Sequence, residues 1–134
     1  MRLTICLTAA SVFAAYSSVQ AAAPAAAPPA AAPAAFQLDE TSWSFTDNKG
    51  VKVKESIDEK GNYIANAADG KHLDHGTSAM KGDKACFTSA MTKSGEVCWT
   101  TSPVAIGQSL NTVSSKGEKL TVTRVAYSPL SMPK

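Results

Sequence analysis

Residues 41–61 read TSWSFTDNKGVKVKESIDEKG, and their pattern recurs along most of the chain. Trp43 and Phe45 alternate with polar residues, and Val53 and Ile57 do the same a few positions later. A period of two places alternate side chains on opposite faces of a β-strand. Each run ends in Asp-x-Lys-Gly, a combination typical of tight turns. The stretch therefore predicts two short strands, each with one apolar face.

The same alternation of strand-like runs and glycine-containing turns continues to residue 127. The turns are spaced by about ten residues, which is too short for crossover helices, so neighbouring strands should be antiparallel. We expect an all-β meander of about seven or eight short strands, forming a small barrel or a two-layer sandwich. The predicted strands are Thr41–Thr46, Val51–Ile57, Asn62–Asn66, His72–Met80, Ala85–Met91, Val97–Thr101, Gln108–Val113 and Lys119–Tyr127.

The N-terminal third of the chain differs in composition from this β-rich part. Residues 1–21 have a positive start, an uncharged apolar stretch and small residues before a predicted cleavage site, which is the layout of a signal peptide. A retained membrane anchor is the alternative. Residues 22–35 contain ten Ala and four Pro, which predicts a disordered linker. Residues 36–134 are then a single β-domain.

Charge excludes one class of partner. The chain of 134 residues has a net charge of +2, and residues 36–134 contain 12 basic and 11 acidic side chains without a charge block. Nucleic-acid binding usually requires a concentrated basic face, so we expect no nucleic-acid partner. The expected partner is a protein or a small apolar ligand, and a membrane only if the signal segment is retained.

Cysteine usage is the strongest chemical signal. Cys86 and Cys98 remain after cleavage of the signal, and two thiols in an exported chain predict a disulfide. They flank a turn between consecutive predicted strands, on the face opposite Phe87, Val97 and Trp99. The bond should stabilise the domain by about 3 kcal/mol in the chain-entropy model. A redox-active pair is not indicated, because the spacing is not Cys-x-x-Cys.

Two charged residues interrupt apolar strand faces. Glu55 falls on the face of Val53 and Ile57, and Arg124 falls on the face of Leu120 and Val122. A buried lone charge is costly, so one hypothesis is that the two meet inside the barrel and anchor a ligand. The preferred alternative is that both lie at strand ends and face water.

The segment His72-Leu73-Asp74-His75 holds both histidines beside a carboxylate, all ligand types for zinc or copper. On a regular strand, however, His72 and Asp74 share one face and His75 points to the other. The three could bind one metal ion only if the strand bends, and Gly76 makes a bulge conceivable. A metal-dependent enzyme or hydrolase using these three residues is therefore the alternative hypothesis. We expect no enzyme and no cofactor, since no Gly-x-Ser-x-Gly elbow and no phosphate-binding loop occur.

Two further features are candidates for recognition. Trp43 and Trp99 belong to an aromatic set that is expected to form core, although a small barrel can also leave a cavity for one apolar ligand. The segment Met91–Glu96, next to the predicted disulfide, would be the exposed loop of a protein inhibitor.

Several short motifs resemble a known group of proteins. They are Glu55-Ser56-Ile57-Asp58, Asp74-His75-Gly76-Thr77, Cys86-Phe87-Thr88, Val97-Cys98-Trp99-Thr100 and Leu120-Thr121-Val122-Thr123-Arg124. Together they resemble small, uncharacterised exported proteins of Gram-negative bacteria. The resemblance implies a periplasmic location and no particular activity. The leading hypothesis is a non-catalytic exported β-domain with a binding or structural role in the cell envelope.

Overall fold

A computed structural model describes residues 36–134, so the predicted signal peptide and linker lie outside the described residues. The domain is an antiparallel meander of eight strands in one sheet, in the order β6-β5-β4-β3-β2-β1-β8-β7. The strands are β1 (Thr41–Thr46), β2 (Lys52–Ile57), β3 (Asn62–Ala67), β4 (His72–Lys81), β5 (Lys84–Ser89), β6 (Glu96–Thr100), β7 (Ser109–Val113) and β8 (Lys119–Val125). No helix among residues 36–134 is long and apolar enough to cross a membrane.

Every predicted strand is present, and the all-β meander is confirmed. The turns explain this agreement, because one turn geometry joins four of the hairpins. Gly50, Gly61, Gly70 and Gly117 each donate an N–H to the carbonyl three residues earlier and have φ between 79° and 91°. A left-handed conformation at this position favours glycine and matches the twist of the two strands.

The sheet curls into a nearly closed barrel. β1 pairs with both β2 and β8, so the first and last strands of the chain are neighbours. The remaining seam lies between β6 and β7, which meet through a single bridge between Trp99 and Ser114. Four hydrogen bonds cross it. The Ser115 N–H donates to the Cys98 carbonyl at 2.7 Å, and the Cys98 N–H donates to the Ser115 hydroxyl at 3.2 Å. The Thr112 hydroxyl donates to the Thr100 carbonyl at 2.6 Å, and the Val113 N–H donates to the Thr100 hydroxyl at 3.0 Å.

The core fills one end of the barrel. Leu38, Trp43, Ile57, Tyr63 and Ala85 are buried there. The partly buried side chains that pack against them are Phe36, Met80, Phe87, Val104, Leu110 and Val122. Burial of these inward-facing side chains supplies the main stabilisation of a one-layer barrel. The opposite end carries the β1–β2, β3–β4, β5–β6 and β7–β8 connections.

The predicted disulfide between Cys86 and Cys98 is present. The two residues are direct partners in the β5–β6 ladder, while their neighbours Phe87, Val97 and Trp99 face the barrel interior, as the alternation predicted. β6 has a full ladder on one side only, so the bond fastens the strand that borders the seam. Such a bond is typical of an oxidising, exported compartment.

The segment after β8 forms a strap that the sequence did not predict. It crosses the outer face of β1 and β2, where the Ser128 N–H donates to the Ser42 hydroxyl at 3.0 Å. The Leu130 N–H donates to the Ser56 hydroxyl at 2.9 Å. Both serines are buried although they lie on the face opposite Trp43 and Glu55. The strap thus covers the outside of β1 and β2.

Candidate functional site

A cavity of about 360 Å³ occupies the barrel interior next to the core. Its wall is mainly apolar and includes the aromatic side chains of Trp43, Phe45, Tyr63, Phe87 and Trp99. At the loop end its lining includes Asp47, Thr92, Ser94, Gly95 and Glu118. Two inward positions of the wall, Ala65 and Ala85, carry only a methyl group and so leave space that a larger side chain would fill.

One transverse row of residues brings the chemistry of the cavity together. Successive strand partners β8, β1, β2, β3 and β4 place five inward residues side by side: Arg124, Trp43, Glu55, Ala65 and Asp74. Directly paired residues of neighbouring strands lie about 5 Å apart, so the two acids are separated by roughly twice that distance at the backbone. Because Ala65 stands between them, their carboxyl groups border an open space.

Glu55 is the most perturbed group of this row. It keeps some accessible surface, but it lines the cavity and is otherwise enclosed by protein. Burial, and then the nearby charge of Asp74, raise the pKa of Glu55 to about 8. No hydrogen bond from residues 36–134 to its carboxyl is found. The Glu55 carboxyl is therefore available to a molecule in the cavity.

Asp74, by contrast, is held firmly in place. Its carboxylate accepts hydrogen bonds from the Tyr63 hydroxyl at 2.8 Å, the Ser89 hydroxyl at 2.6 Å and the His75 N–H at 2.9 Å. Burial, and then the bond to Asp74, raise the pKa of Tyr63 above its ordinary value, so the phenol stays a donor. Three donors fix one negative group at the wall of an apolar cavity.

The suggested pairing of Glu55 with Arg124 is not formed. Trp43 stands between the two residues in the row, and the ion pair found among the described residues joins Lys81 to Glu96. The Arg124 guanidinium donates to the Val104 carbonyl at 3.0 Å and lies 6.0 Å from the centre of the Phe36 ring. The expectation that both residues face water is also wrong, since Glu55 lines the cavity and Arg124 is partly buried.

The histidine segment differs from its sequence-based interpretation. The β3–β4 register shifts at Ala65/Asn66, so that Asn66 pairs with His72 while Ala65 pairs with Asp74. This bulge places His72 and His75 together, with Nε2 of His72 3.1 Å from Nδ1 of His75. Nδ1 of His72 lies 2.8 Å from the Asn66 amide oxygen. The expectation that His72 shares a face with Asp74 is wrong.

The register shift separates the three side chains that were the candidates for a metal site and for a metal-dependent enzyme. The carboxylate of Asp74 points into the cavity, away from the two imidazoles, so the three side chains are not gathered around one point. Within residues 36–134, one group of three potential ligands does meet, namely Cys86, Glu96 and Cys98. Both of these cysteines are joined in the disulfide and are not thiolates, so the group lacks its two soft ligands.

The segment Met91–Glu96 is exposed and comprises the β5–β6 loop and the first residue of β6. The Ser89 hydroxyl accepts hydrogen bonds from the N–H groups of Met91 and Thr92, both at 3.1 Å. Because the same hydroxyl donates to Asp74, the loop is tied directly to the acidic side of the cavity. The loop thus forms part of the entrance to the cavity.

Sequence patterns identified only part of this site. Glu55, Trp43 and Trp99 were candidates and line the cavity, whereas Arg124 is directed elsewhere. Tyr63, Ala65 and Ser89 were not singled out as site residues, although Tyr63 and Ala65 sit at inward positions of a strand and could be found from alternation once the barrel is assumed. Comparison of the chain with protein-family models, curated proteins and solved structures finds no match.

Proposed function

We propose that this protein is a non-catalytic binding protein that holds one small, largely apolar ligand inside its barrel. The observation that carries the proposal is the cavity, whose mainly apolar wall surrounds the carboxyl groups of Glu55 and Asp74. Ligand sites in proteins are typically apolar cavities of about 300–1,000 Å³ with a few polar groups that orient the ligand. The volume of about 360 Å³ lies at the small end of that range.

A purely structural role would not require this arrangement. The interior of an eight-stranded barrel is just wide enough to be filled by side chains, so a cavity arises only where inward residues are small. Leucine or valine at positions 65 and 85 would fill it and add buried apolar surface. Enclosure of Glu55 in the cavity wall also raises its pKa to about 8, which destabilises the fold at neutral pH, and a ligand that bonds to this carboxyl would offset that cost.

The location completes the proposal. The apolar segment at residues 1–21 has the layout of a signal peptide, and the disulfide is consistent with export. The motif resemblance to exported proteins of Gram-negative bacteria favours the periplasm. There the barrel would act as a carrier or sensor of its ligand, with the Ala- and Pro-rich residues 22–35 as a spacer.

A neutral fluorescent probe tests the proposal. N-phenyl-1-naphthylamine is uncharged at neutral pH and brightens in apolar surroundings, and the protein should bind it with a stoichiometry of about one. Ala65→Phe places an aromatic ring in the middle of the cavity and should abolish binding. Ala79→Phe introduces the same ring at an exposed position of β4 and should leave binding intact.

The probe experiment has two outcomes that would refute a cavity ligand. One is a wild-type protein that produces no saturable fluorescence increase up to the solubility limit of the probe. The other is equal binding by Ala65→Phe and wild type, which would place the probe on the surface. Thermal unfolding of both variants shows that each is folded at the temperature of the assay.

A further inference from the structure

The charged residues that line the cavity all have the same sign. Asp47, Glu55, Asp74 and Glu118 are among its lining residues, and no Lys, Arg or His belongs to the described lining. Composition does not explain this bias, because residues 36–134 carry as many basic as acidic side chains to within one. An anionic ligand would meet only repulsion there, whereas a cation would be attracted from the entrance inward.

The interior provides a defined place for a cationic group. Glu55 and Asp74 flank the methyl group of Ala65 in the transverse row, and no other side chain of that row lies between them. Asp74 is already oriented by the hydroxyl groups of Tyr63 and Ser89. The carboxyl of Glu55 accepts no hydrogen bond from the described residues, so a donor that enters this space meets an available acceptor.

The rest of the cavity suits the apolar part of such a ligand. The rings of Tyr63 and Phe87 are packed edge to face at 5.3 Å, and Trp43 and Trp99 contribute two indoles to the wall. Aromatic faces attract ammonium groups as well as hydrocarbon, and this attraction is strongest where water is excluded. The acidic groups in the centre of the cavity and the aromatic side chains of its wall therefore favour the same class of ligand, a cation with an apolar part.

We infer that the ligand is a small apolar amine, whose ammonium group lies between Glu55 and Asp74 and whose hydrocarbon part contacts the aromatic wall. This inference rests on the proposed function and adds the chemical class of the ligand. An ammonium group has three donors, which matches the free carboxyl of Glu55 together with the remaining acceptor capacity of Asp74. Charge-assisted hydrogen bonds of this kind would orient the ligand.

Binding of an amine should depend on pH in a definite direction. The groups that face Glu55 are Asp74 from β4 and Tyr63 from β3, while β1 contributes the uncharged Trp43 and Arg124 of β8 is directed to Val104. Burial raises the pKa of Glu55 to about 8, so the carboxyl is mostly protonated below pH 8. An ammonium group that binds there must therefore displace that proton. Affinity should therefore rise between pH 6 and pH 8, where an alkylamine remains charged.

A matched series of probes tests the inference. 2-Phenylethylamine, 2-phenylethanol and 3-phenylpropanoate share a phenyl ring and a short chain but end in a cation, a neutral hydroxyl and an anion. Each competes with N-phenyl-1-naphthylamine for the purified, disulfide-bonded protein. At pH 8 the amine should bind about tenfold more tightly than the alcohol, and the carboxylate more weakly than either. Between pH 6 and pH 8 the affinity for the amine should increase about tenfold or more.

Two variants test whether the preference for the amine over the alcohol depends on Glu55. Glu55→Gln preserves the size of the side chain and should reduce the preference for amine over alcohol to within about threefold, with the affinity for alcohol unchanged. Retained alcohol binding also shows that this variant is folded. Glu59→Gln removes an exposed carboxyl from the β2–β3 turn and should keep the full preference.

The outcomes separate this inference from the proposed function. Equal or tighter binding of the alcohol, or tightest binding of the carboxylate, overturns the amine while leaving a ligand-binding cavity. A full preference for the amine in Glu55→Gln overturns the assigned position of the ammonium group. Failure of all four compounds to bind refutes the cavity ligand itself.

Discussion

Glu55 makes the stability of the fold depend on pH. Its carboxyl is enclosed, lies near the charge of Asp74 and accepts no hydrogen bond from residues 36–134. In the unfolded chain the same carboxyl is hydrated and titrates near 4.5. The folded protein therefore binds a proton at Glu55 that the unfolded chain has already released, throughout the interval from about 4.5 to about 8.

This difference predicts a pH dependence of stability. Because the folded-state pKa of Glu55 is raised to about 8, the free energy of unfolding should fall as pH rises from 5 to 8, by at most about 1.4 kcal/mol per pH unit from this group. Glu55→Gln should remove that dependence and should be the more stable protein at pH 8. Urea unfolding at pH 5, 6.5 and 8 measures the difference between wild type and variant.

A control variant shows whether the pH dependence of stability comes from Glu55. Glu59→Gln changes an exposed carboxyl, so its unfolding curves should parallel those of wild type. Asp58 does not change stability between pH 5 and pH 8. Hydrogen bonding from Asn62 lowers the pKa of Asp58, so its contribution to the free energy of unfolding is lost only in stronger acid. If the stability difference between Glu55→Gln and wild type stays constant from pH 5 to pH 8, Glu55 does not titrate as described.

At the residue scale, alternation located Glu55 but not Asp74. The period of two put Glu55 on the face of Val53, and the barrel interior is where that face lies. Asp74 follows a register shift at Ala65/Asn66, and a bulge reverses the inward and outward positions on either side of it. The residues around Asp74 do not predict that shift, because the shift depends on how β3 and β4 pair with each other.

At the element scale, the close packing of β4 against β5 requires a glycine at position 76 of β4. Gly76 pairs with Tyr63 on one side and Ser89 on the other, at the level where the donors to Asp74 are arranged. An added Cβ at Gly76 would lie 2.0 Å from the Thr88 carbonyl oxygen of β5, far inside van der Waals contact. The two strand backbones can approach this closely only without a side chain.

This contact predicts a severe effect of a single methyl group. Gly76→Ala should lower the free energy of unfolding by about 3 kcal/mol or more, because backbone rather than a flexible side chain must move. Gly82→Ala is the matched control: nothing lies within 4 Å of its added Cβ, although its φ is 63°. That variant should lose only about 1–2 kcal/mol from backbone strain. Urea unfolding followed by circular dichroism compares both, and equal losses would contradict a steric role for Gly76.

Strand positions were predictable because turns and strands carry independent signals. Asp47 and Asp58 each accept N–H groups two and four residues ahead, so the side chain itself closes the turn that the following glycine completes. The strap formed by the C-terminal segment had no such signal. Its partners are the hydroxyl groups of Ser42 and Ser56, which look like ordinary outward residues of a half-buried strand.

At the scale of the whole molecule, the disulfide compensates for the thin seam. β6 has one bridge and a few hydrogen bonds to β7 in place of a full ladder. The bond from Cys86 to Cys98 attaches the middle of β6 to β5, whose other side is fully paired with β4. The barrel therefore stays closed without a continuous ladder.

The disulfide should contribute measurably to stability. Replacing Cys86 and Cys98 together by Ala should lower the free energy of unfolding by about 3 kcal/mol, since the unfolded chain loses a loop constraint. Hydrogen exchange should accelerate in β6 and change little in β1 and β2, which lie in the centre of the ladder order. Wild type treated with a reducing agent should behave like the double variant. A loss below about 0.5 kcal/mol would mean that the seam holds without the bond.

The adjacency of β1 and β8 has a consequence for how the chain folds. Closing the barrel requires two strands from opposite ends of the domain to find each other, whereas the sequence neighbours β6 and β7 meet only loosely. Long loop closures slow folding. A circular permutant that links residue 134 to residue 36 and opens the β6–β7 connection would keep the core residues Phe36 and Leu38 and would have every full ladder between successive strands. Such a rearranged gene product would refold faster than the natural order, with the same interior.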